Sequence, residues 1–183
     1  MTPRLESLEQ IYQACWHELG QAPRDKTHAF RLLGLATVDG EQADLRSVVL
    51  REVLADQRTL VLFTDARSPK VTQIQRQPAG TLLAWCKRLS WQLRLRVQLE
   101  VETSGPAVSS RWARLKMTPA AQDYLSPLPP GAPLGRPVPE RSSREHFAVI
   151  NARVQSIDWL ELRAEGHRRA AFDAAGQGQW LTP

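Results

Sequence analysis

The sequence contains only two cysteines and four histidines among its 183 residues. Cys15 falls in a helical pattern and Cys86 in a strand pattern, so we expect neither a disulfide framework nor a zinc site of the usual ligand spacing. A membrane-spanning helix needs a run of about eighteen apolar residues, and the sequence has no such run. We therefore expect no metal centre and no membrane span.

Two common catalytic motifs are also missing. No Gly-x-Gly-x-x-Gly follows a strand pattern and no Gly-x-Ser-x-Gly occurs, which argues against a dinucleotide-binding Rossmann fold and against an α/β-hydrolase. The first residues, Met1 to Glu6, lack the basic and then apolar layout of a secretion signal. The missing secretion-signal pattern leads us to expect a cytoplasmic protein.

The composition fits a single globular domain over residues 1–183. Hydrophobic residues make up 42% of the chain and charged residues 23%. The 24 Lys and Arg residues exceed the 19 Asp and Glu residues, which gives a net charge of +5. This excess is only a weak indication of an anionic partner, because the cations are scattered along the chain rather than gathered in a dense block.

Hydrophobic periodicity predicts a mainly β chain with peripheral helices. The N-terminal unit, residues 1–27, holds an amphipathic helix over residues 5–20. Strand patterns follow, most of them joined by hairpins such as the Asp39-Gly40 turn, and closure into a small antiparallel barrel would remove their exposed edges. The predicted strands are Ala29–Val38, Ala43–Val53, Thr59–Thr64, Ala79–Cys86, Trp91–Val101, His146–Ile157 and Trp159–Leu162, with Ala170–Phe172 and Gln179–Leu181 as short additions.

Two further helices and a proline-rich segment interrupt these strands. A short helix is predicted over Lys70–Arg76, since Ser68-Pro69 is a favourable helix start. A second is predicted over Ser109–Tyr124, with a break near Thr118-Pro119. Residues 126–144 are rich in proline and cannot pack as regular structure, so we interpret them as an excursion over the surface.

Cations and hydroxyls at the ends of two neighbouring strands give the strongest functional indication. Arg46 and Arg51 bound one strand segment, and Ser68 and Lys70 follow the next strand just before a helix. A phosphate needs two or three convergent cations together with hydroxyl or backbone N–H donors, which a helix N-terminus supplies. We therefore predict a pocket for the phosphate of a cofactor.

Two details bear on this pocket. Arg46 and Arg51 have opposite parity, so they cannot face one ligand from a regular strand, and a β-bulge or a second chain would be required. Lys70 opposes the helix dipole in the first turn, a misfit of about 0.3–1 kcal/mol that a bound dianion would reverse. The alternative is that the arginines are ordinary exposed strand residues that contribute little beyond solubility.

An ordered series of short motifs resembles the pyridoxamine 5′-phosphate oxidase family and its relatives, the FMN-binding split barrels. The series is Arg46-Ser-Val-Val-Leu-Arg51, Leu62-Phe63-Thr64, Ser68-Pro69-Lys70, Gln77-Pro78, Leu83-Ala84-Trp85, Trp91-Gln92-Leu93-Arg94 and His167-Arg168-Arg169. The resemblance covers residues 28–105 and, less closely, 146–183. It implies a six- to seven-stranded antiparallel split barrel and a homodimer that binds FMN between its subunits.

The resemblance also implies roles for particular residues. Arg46 and Lys70 would hold the FMN phosphate, and Arg169 would contribute to the cofactor site from a late strand. Arg51 and His167 would orient a polar or anionic small-molecule substrate, such as a phosphorylated one. The other cofactor-binding positions that it implies are Ser47, Val48, Val49, Leu50, Phe63, Thr64, Ser68 and Gln92.

The chain departs from the oxidase itself in several places. Pro69 stands where the oxidase has a second basic residue, and His167 alone remains of a substrate-binding Arg-x-His pair. Leu160 or its neighbour Trp159 falls where a flavin-contacting tryptophan is expected. Residues 109–135 lack the oxidase pattern and resemble instead an FMN-binding subgroup with a Pro-Pro-Gly loop. The resemblance therefore implies FMN as the cofactor and leaves the substrate open.

Three functions are compatible with the sequence. The first is an FMN-dependent oxidoreductase in which a small substrate passes a hydride to flavin N5, and the second is a flavin carrier or sensor without catalysis. The third is a nucleic-acid-binding β-barrel, suggested by the pI near 9.8 and by the arginines between Gln92 and Gln98. Aromatic residues do not alternate with those arginines as a base-stacking surface requires, which argues against nucleic acid. No catalytic residue is assigned.

Overall fold

The computed structural model describes residues 4–135 and 146–183, and these residues form three α-helices and eight β-strands. The helices are α1 (Leu8–Gln21), α2 (Pro69–Arg76) and α3 (Pro106–Leu115). The strands are β1 (Leu32–Asp39), β2 (Gln42–Leu54), β3 (Thr59–Asp65), β4 (Ala79–Cys86), β5 (Trp91–Glu102), β6 (Phe147–Glu161), β7 (Arg168–Phe172) and β8 (Gly178–Leu181). Short 3-10 turns occupy Ala29–Arg31, Ala55–Gln57 and Pro119–Tyr124.

Six of the strands close an antiparallel ring. Hydrogen-bonded neighbours follow the order β3, β2, β1, β4, β5, β6, and β3 pairs again with β6 from Thr59 opposite Arg153 to Asp65 opposite Phe147. β7 and β8 extend the sheet from β6, outside the ring. The predicted fold, a mainly β antiparallel barrel of six to seven strands with peripheral helices, is confirmed.

The core lies inside the ring and is built by the alternating faces of the strands. In β5 every second side chain from Trp91 to Leu99 is buried, and the residues between them face outward. Ile11, Cys15 and Leu19 of α1 belong to the same buried cluster. The strict alternation of apolar and polar residues in the β5 sequence therefore corresponds to a strand with one face in the barrel core and the other facing outward.

Near the N-terminus, α1 and β1 each begin three residues later than predicted, and local hydrogen bonds explain both differences. α1 begins at Leu8 rather than at residue 5, because the Ser7 hydroxyl accepts a hydrogen bond from the N–H of Gln10 and caps the helix there. β1 begins at Leu32 rather than Ala29, since a ring nitrogen of His28 accepts from the Phe30 N–H and holds the preceding residues in a 3-10 turn.

The later part of the chain follows the prediction with two differences, in the start of α3 and in the continuity of β6. The helical segment breaks as expected, since α3 ends at Leu115 and a separate 3-10 turn starts at Pro119, although α3 begins earlier, at Pro106. The two strands predicted on either side of residue 158 form one continuous strand, β6. Residues 126–135 form neither helix nor strand, and residues 136–144 of the proline-rich segment lie outside the described residues.

α3 covers the outer face of the barrel at β3 and β6. Trp112 and Tyr124 pack with Phe147 at ring-centre distances of 5.4 and 5.3 Å, over Val61 and Val149. These residues form a second buried apolar cluster, outside the ring. The strands on this side are thus buried on both faces.

The opposite outer face, formed by β2, β1 and β4, is apolar and exposed. Leu45 is 66% exposed, Leu32 59%, Trp85 45% and Leu83 40%. The register places Leu83 opposite Gly34, and the side chain of Leu45 also lies against that glycine. We call these four exposed side chains the apolar outer face.

Within residues 4–135 and 146–183, no helix combines the length and the apolar composition that a bilayer crossing requires. In the same described parts of the chain, no three His, Cys, Asp or Glu side chains group in a way that could hold a metal ion.

Candidate functional site

Three of the predicted site residues meet at the end of β3, where the chain enters α2. Ser68 is the residue before the helix, Pro69 takes its first position, and Lys70 lies in its first turn. The Nζ atom of Lys70 donates to Ser68 Oγ at 2.6 Å and to Thr64 Oγ1 at 3.2 Å. Thr64 and Ser68 are both buried, so an ammonium group stands over two buried hydroxyls.

Arg46 belongs to the same region. Its Nη1 atom donates to Thr37 Oγ1 at 2.6 Å and to the carbonyl oxygen of Leu35 at 3.2 Å. Its Nη2 atom donates to Gln73 Oε1 at 3.0 Å and lies 2.5 Å from Asp44 Oδ2. The guanidinium is therefore fixed from β1, from α2 and from its own strand.

Gln73 and Asp44 are contacts that the sequence did not predict. Gln73 lies on α2 and is buried, and its Nε2 atom donates to Asp44 Oδ2 at 3.0 Å. One sequence feature could have indicated Gln73: it is a polar residue next to Val71 and Ile74 on the buried face of α2. We call Arg46, Thr64, Ser68, Lys70 and Gln73 the cation cluster.

The charges of this cluster influence one another. Burial, and then the positive charge of Arg46, lower the pKa of Lys70, while Asp65 and Asp44 oppose that shift. Hydrogen bonds from Gln73 and Arg46 hold the pKa of Asp44 below its ordinary value, so its carboxylate is ionised at neutral pH. Asp44 and Asp65 offset the repulsion between the two cations only in part, which is a suitable environment for a further anion.

The rest of the Arg46–Arg51 segment divides between the two faces of β2. Val48 and Leu50 point into the barrel core, on the same side as Arg46. Ser47 and Val49 point outward, and Ser47 is exposed. The side chains of Val48 and Leu50 are therefore core residues, and only their backbone could face a ligand.

Arg51 falls in a β-bulge. Leu50 pairs with Leu62 and Glu52 with Val61, so Arg51 is the extra residue between two regular pairs. Its guanidinium carbon lies 5.7 Å from the centre of the Phe63 ring. Of the two alternatives that the parity of Arg46 and Arg51 left open, a β-bulge or a second chain, a bulge is present in β2.

The bulge does not bring Arg51 to the cation cluster. Phe63 and Thr64 are consecutive in β3 and point to opposite faces. Arg51 contacts Phe63 on the outer side, and Lys70 contacts Thr64 on the other. Burial raises the pKa of Tyr124, and the positive charge of Arg51 opposes that shift, which places Arg51 beside the aromatic cluster under α3.

A cavity of about 250 Å³ opens beside Arg51 and Phe63. Glu52 contributes a carboxylate to its wall and forms an ion pair with Arg111 at 2.8 Å. The cavity holds more positive than negative charge, which favours an anionic ligand. The arginines that line it are Arg31, Arg51, Arg111 and Arg114.

Gln92 and Arg169 lie on another part of the sheet. Both are in register with Leu160 of β6, one on each side, so they share the outer face. Arg169 donates to Asp158 from Nε at 3.0 Å and from Nη2 at 2.7 Å, and Arg94 pairs with the same carboxylate. This pairing reduces the free positive charge that a nucleic-acid surface on β5 would need.

A single chain does not bring these residues to the cation cluster. β2 and β5 are three strand positions apart in either direction around the closed ring, so they lie on opposite sides of the barrel. The side chain of Gln92 also points outward, whereas that of Arg46 points inward. His167 is exposed in the turn before β7. The predicted site is therefore divided among three regions: the cation cluster, the outer face at Arg51 and Phe63, and the outer surface at Gln92 and Arg169.

Comparison with known proteins identifies one family whose sequence model matches this chain and a relative that is named as an oxidase. Residues 13–103 match the sequence model of the family described as pyridoxamine 5′-phosphate oxidase, FMN-binding domain. A pyridoxine/pyridoxamine 5′-phosphate oxidase of Caulobacter vibrioides is 26% identical over 194 aligned positions, which cover 98% of this chain and 86% of that protein.

Two solved structures share the fold over nearly the whole chain. A pyridoxamine 5′-phosphate oxidase-related, FMN-binding protein of Nostoc punctiforme has a TM-score of 0.76 and 27% identity, and the match covers 93% of this chain and 96% of the other. PhzG of Burkholderia lata, solved with tetrahydrophenazine-1-carboxylic acid, also has a TM-score of 0.76, with coverage of 100% and 99%. Its identity is 13%, so that likeness concerns the fold alone.

The position of Lys70 predicts that this residue lowers the stability of the ligand-free protein. Because its pKa is lower in the folded state than in the unfolded chain, the protonated form carries a penalty at neutral pH that disappears as the pH rises through the folded pKa towards the ordinary lysine range. Because Lys70 is partly exposed and solvent screens its charge, we expect Lys70→Met to raise the free energy of unfolding at pH 7 by at most about 1 kcal/mol, measured by urea denaturation.

Lys116→Met is the matched control, because Lys116 is exposed. We expect it to change the free energy of unfolding by less than about 0.5 kcal/mol. A lower stability of Lys70→Met would mean that the hydrogen bonds of Lys70 to Thr64 and Ser68 outweigh its desolvation.

Proposed function

We propose that this chain, which belongs to the pyridoxamine 5′-phosphate oxidase-like family of split-barrel proteins, binds FMN and uses it in an oxidoreductase reaction. The observation that carries the proposal is the convergence of Arg46 and Lys70, with the buried hydroxyls of Thr64 and Ser68, at the start of α2. Two cations and two hydroxyls suit a phosphomonoester, and the repulsion between the cations is relieved when a dianion lies between them.

The residues of the cluster fit the phosphate end of FMN. Lys70 is held by Ser68 and Thr64, and Arg46 by Thr37 and Gln73, so both cations are in place before a ligand arrives. Such preorganisation reduces the ordering cost of binding. When bound, FMN supplies a ring that accepts a hydride from a reduced substrate at N5.

The cavity beside Arg51 is the proposed substrate site. Its arginines would bind and orient a small anionic molecule, and Phe63 offers an aromatic surface next to Arg51. The cavity and the cation cluster lie against opposite faces of β3, at adjacent residues of the same strand. A cofactor anchored at one face can therefore extend past the end of the strand towards the other.

A homodimer is part of the proposal. The apolar outer face spans three strands, and exposed apolar patches of this kind mark interaction surfaces. Trp85 of this face is in register with Gln92, and Gln92 shares its outer surface with Arg169. A second copy of the chain on this face would bring Gln92 and Arg169 towards the partner's cation cluster, which one chain alone does not achieve.

The phosphate assignment predicts weaker FMN binding when either cation is removed. A hydrogen bond between charged groups contributes about 1.5–3 kcal/mol, so Arg46→Ala and Lys70→Ala should each raise the Kd for FMN by roughly ten- to hundredfold. Fluorescence titration of the apoprotein measures this. Binding of riboflavin, which lacks the phosphate, should change little in either variant.

Lys116→Ala serves as the control for the loss of one positive charge, and it should bind FMN as the unaltered protein does. Equal FMN affinity in Arg46→Ala, Lys70→Ala and the control would refute the phosphate assignment. A purified protein that is colourless and does not bind added FMN would refute the cofactor itself.

The substrate assignment predicts that the FMN-loaded protein consumes oxygen with pyridoxamine or pyridoxine 5′-phosphate. We expect Arg51→Ala to lower kcat/KM by about tenfold or more and to leave FMN bound, because Arg51 contacts the cavity rather than the cation cluster. Arg24→Ala, which removes an exposed arginine, should leave kcat/KM unchanged. Tight FMN binding without any turnover would instead identify a flavin carrier or sensor.

The dimer proposal predicts that a charge on the apolar outer face dissociates the protein. We expect Leu83→Asp to convert a dimer into a monomer in sedimentation velocity, because the carboxylate would have to be buried without a partner. FMN retention should fall in the same variant. Leu128→Asp is the control, since Leu128 is 43% exposed, close to the 40% of Leu83, and lies outside the sheet. A dimer that persists in Leu83→Asp would place the interface elsewhere.

A further inference from the structure

We infer that one carboxylate oxygen of Asp44 occupies the position of a phosphate oxygen in the ligand-free protein, and that the side-chain amide of Gln73 is a further ligand of the bound phosphate. This inference rests on the proposed function and deepens it. It adds a neutral donor to the two cations of the site, and it makes Asp44 an internal competitor of the ligand.

The geometry at Asp44 Oδ2 is that of an oxyanion held by convergent donors. Arg46 Nη2 lies 2.5 Å from this oxygen and Gln73 Nε2 donates to it at 3.0 Å. The positive charge of Lys70 also contributes to lowering the pKa of Asp44. One anionic oxygen thus has two donors from different elements and a second positive group, Lys70, nearby, as a phosphate oxygen would require.

The donors are fixed and the acceptor is free to move. Gln73 is 5% exposed, and its Oε1 atom accepts from Arg46 Nη2 at 3.0 Å and from Thr37 Oγ1 at 2.6 Å. Arg46 also donates to the Leu35 carbonyl oxygen and to Thr37. The Asp44 side chain, by contrast, is 46% exposed and can turn into water, where a carboxylate is well solvated.

Departure of Asp44 would leave two hydrogen-bond donors directed at one point. Gln73 Nε2 would lose its acceptor, and Arg46 Nη2 would keep only Gln73 Oε1. Water can reach this half-exposed position, but an anionic oxygen is the stronger acceptor for both donors. A phosphate oxygen at the former position of Oδ2 restores both bonds. Binding is therefore an exchange of one anionic oxygen for another, in which the protein donors keep their positions.

This exchange makes the charge of Asp44 unfavourable for ligand binding. The ion pair with Asp44 reduces the attraction of Arg46 for phosphate, and the displaced carboxylate remains close enough to repel a dianion. If Asp44 had only a structural role, by holding Arg46 in its orientation, its removal would weaken binding instead. The sign of the effect therefore distinguishes the two roles.

Titration of the apoprotein with FMN and with riboflavin tests the inference. We expect Asp44→Asn, which keeps the size of the side chain and removes its charge, to lower the Kd for FMN by about three- to tenfold and to leave the Kd for riboflavin unchanged. Asp39→Asn is the matched control, because Asp39 lies on the same hairpin and is exposed. It should leave both Kd values unchanged.

Gln73→Met tests the amide as a ligand. We expect it to raise the Kd for FMN by about tenfold and to leave riboflavin binding unchanged. Because Gln73 is buried, the thermal unfolding of this variant is measured in parallel. If Gln73→Met does not fold, the Kd values of Asp44→Asn decide between the two roles by themselves.

The outcomes separate this inference from the proposed function. If Arg46→Ala and Lys70→Ala weaken FMN binding while Asp44→Asn leaves it unchanged or weaker, the inference is overturned and the cofactor proposal stands. Equal tightening of riboflavin and FMN in Asp44→Asn would also overturn it, since riboflavin has no phosphate. Failure of the unaltered protein to bind FMN would overturn the proposed function together with the inference.

Discussion

The pairing of β3 with β6 is the contact on which the rest of the structure depends. It closes the six-stranded ring, so that each strand of the ring has a neighbour on both sides and their inner faces share one core. It also fixes β3 as the strand between the barrel interior and α3. Because Phe63 and Thr64 then point to opposite faces, one strand end serves both the cation cluster and the arginine-lined cavity.

The cation cluster shows how binding competes with stability. Lys70 is partly desolvated next to Arg46 and in the first turn of α2, three conditions that disfavour its charge in the ligand-free protein. Buried hydroxyls, an amide and the Asp44 carboxylate offset part of this cost. Residues that are unfavourable until a ligand binds are typical of functional sites. In the proposed function, the same environment that destabilises the charge of Lys70 favours the binding of the FMN phosphate.

The sequence identified part of the candidate site for reasons that can be stated. Arg46, Ser68 and Lys70 stand at strand and helix ends, where local patterns are clear. The parity of Arg46 and Arg51 left a bulge or a second chain as alternatives; β2 has the bulge, but the bulge does not bring the two arginines together. Asp44 and Gln73 were missed, because each belongs to an element whose partner depends on how α2 packs against β1 and β2. The arginines around Arg51 were missed for the same reason, since they come from separate segments of the chain.

The sequence by itself determined the local elements: the alternation of β5, the hairpin at Asp39-Gly40 and the start of α2 at Ser68-Pro69 all depend on neighbouring residues. The tertiary structure alone decided which outer face α3 covers, which one stays apolar and exposed, and that Gln92 and Arg169 lie away from Arg46 within one chain. These features follow from the register between strands that are distant in sequence, and no short pattern encodes such a register.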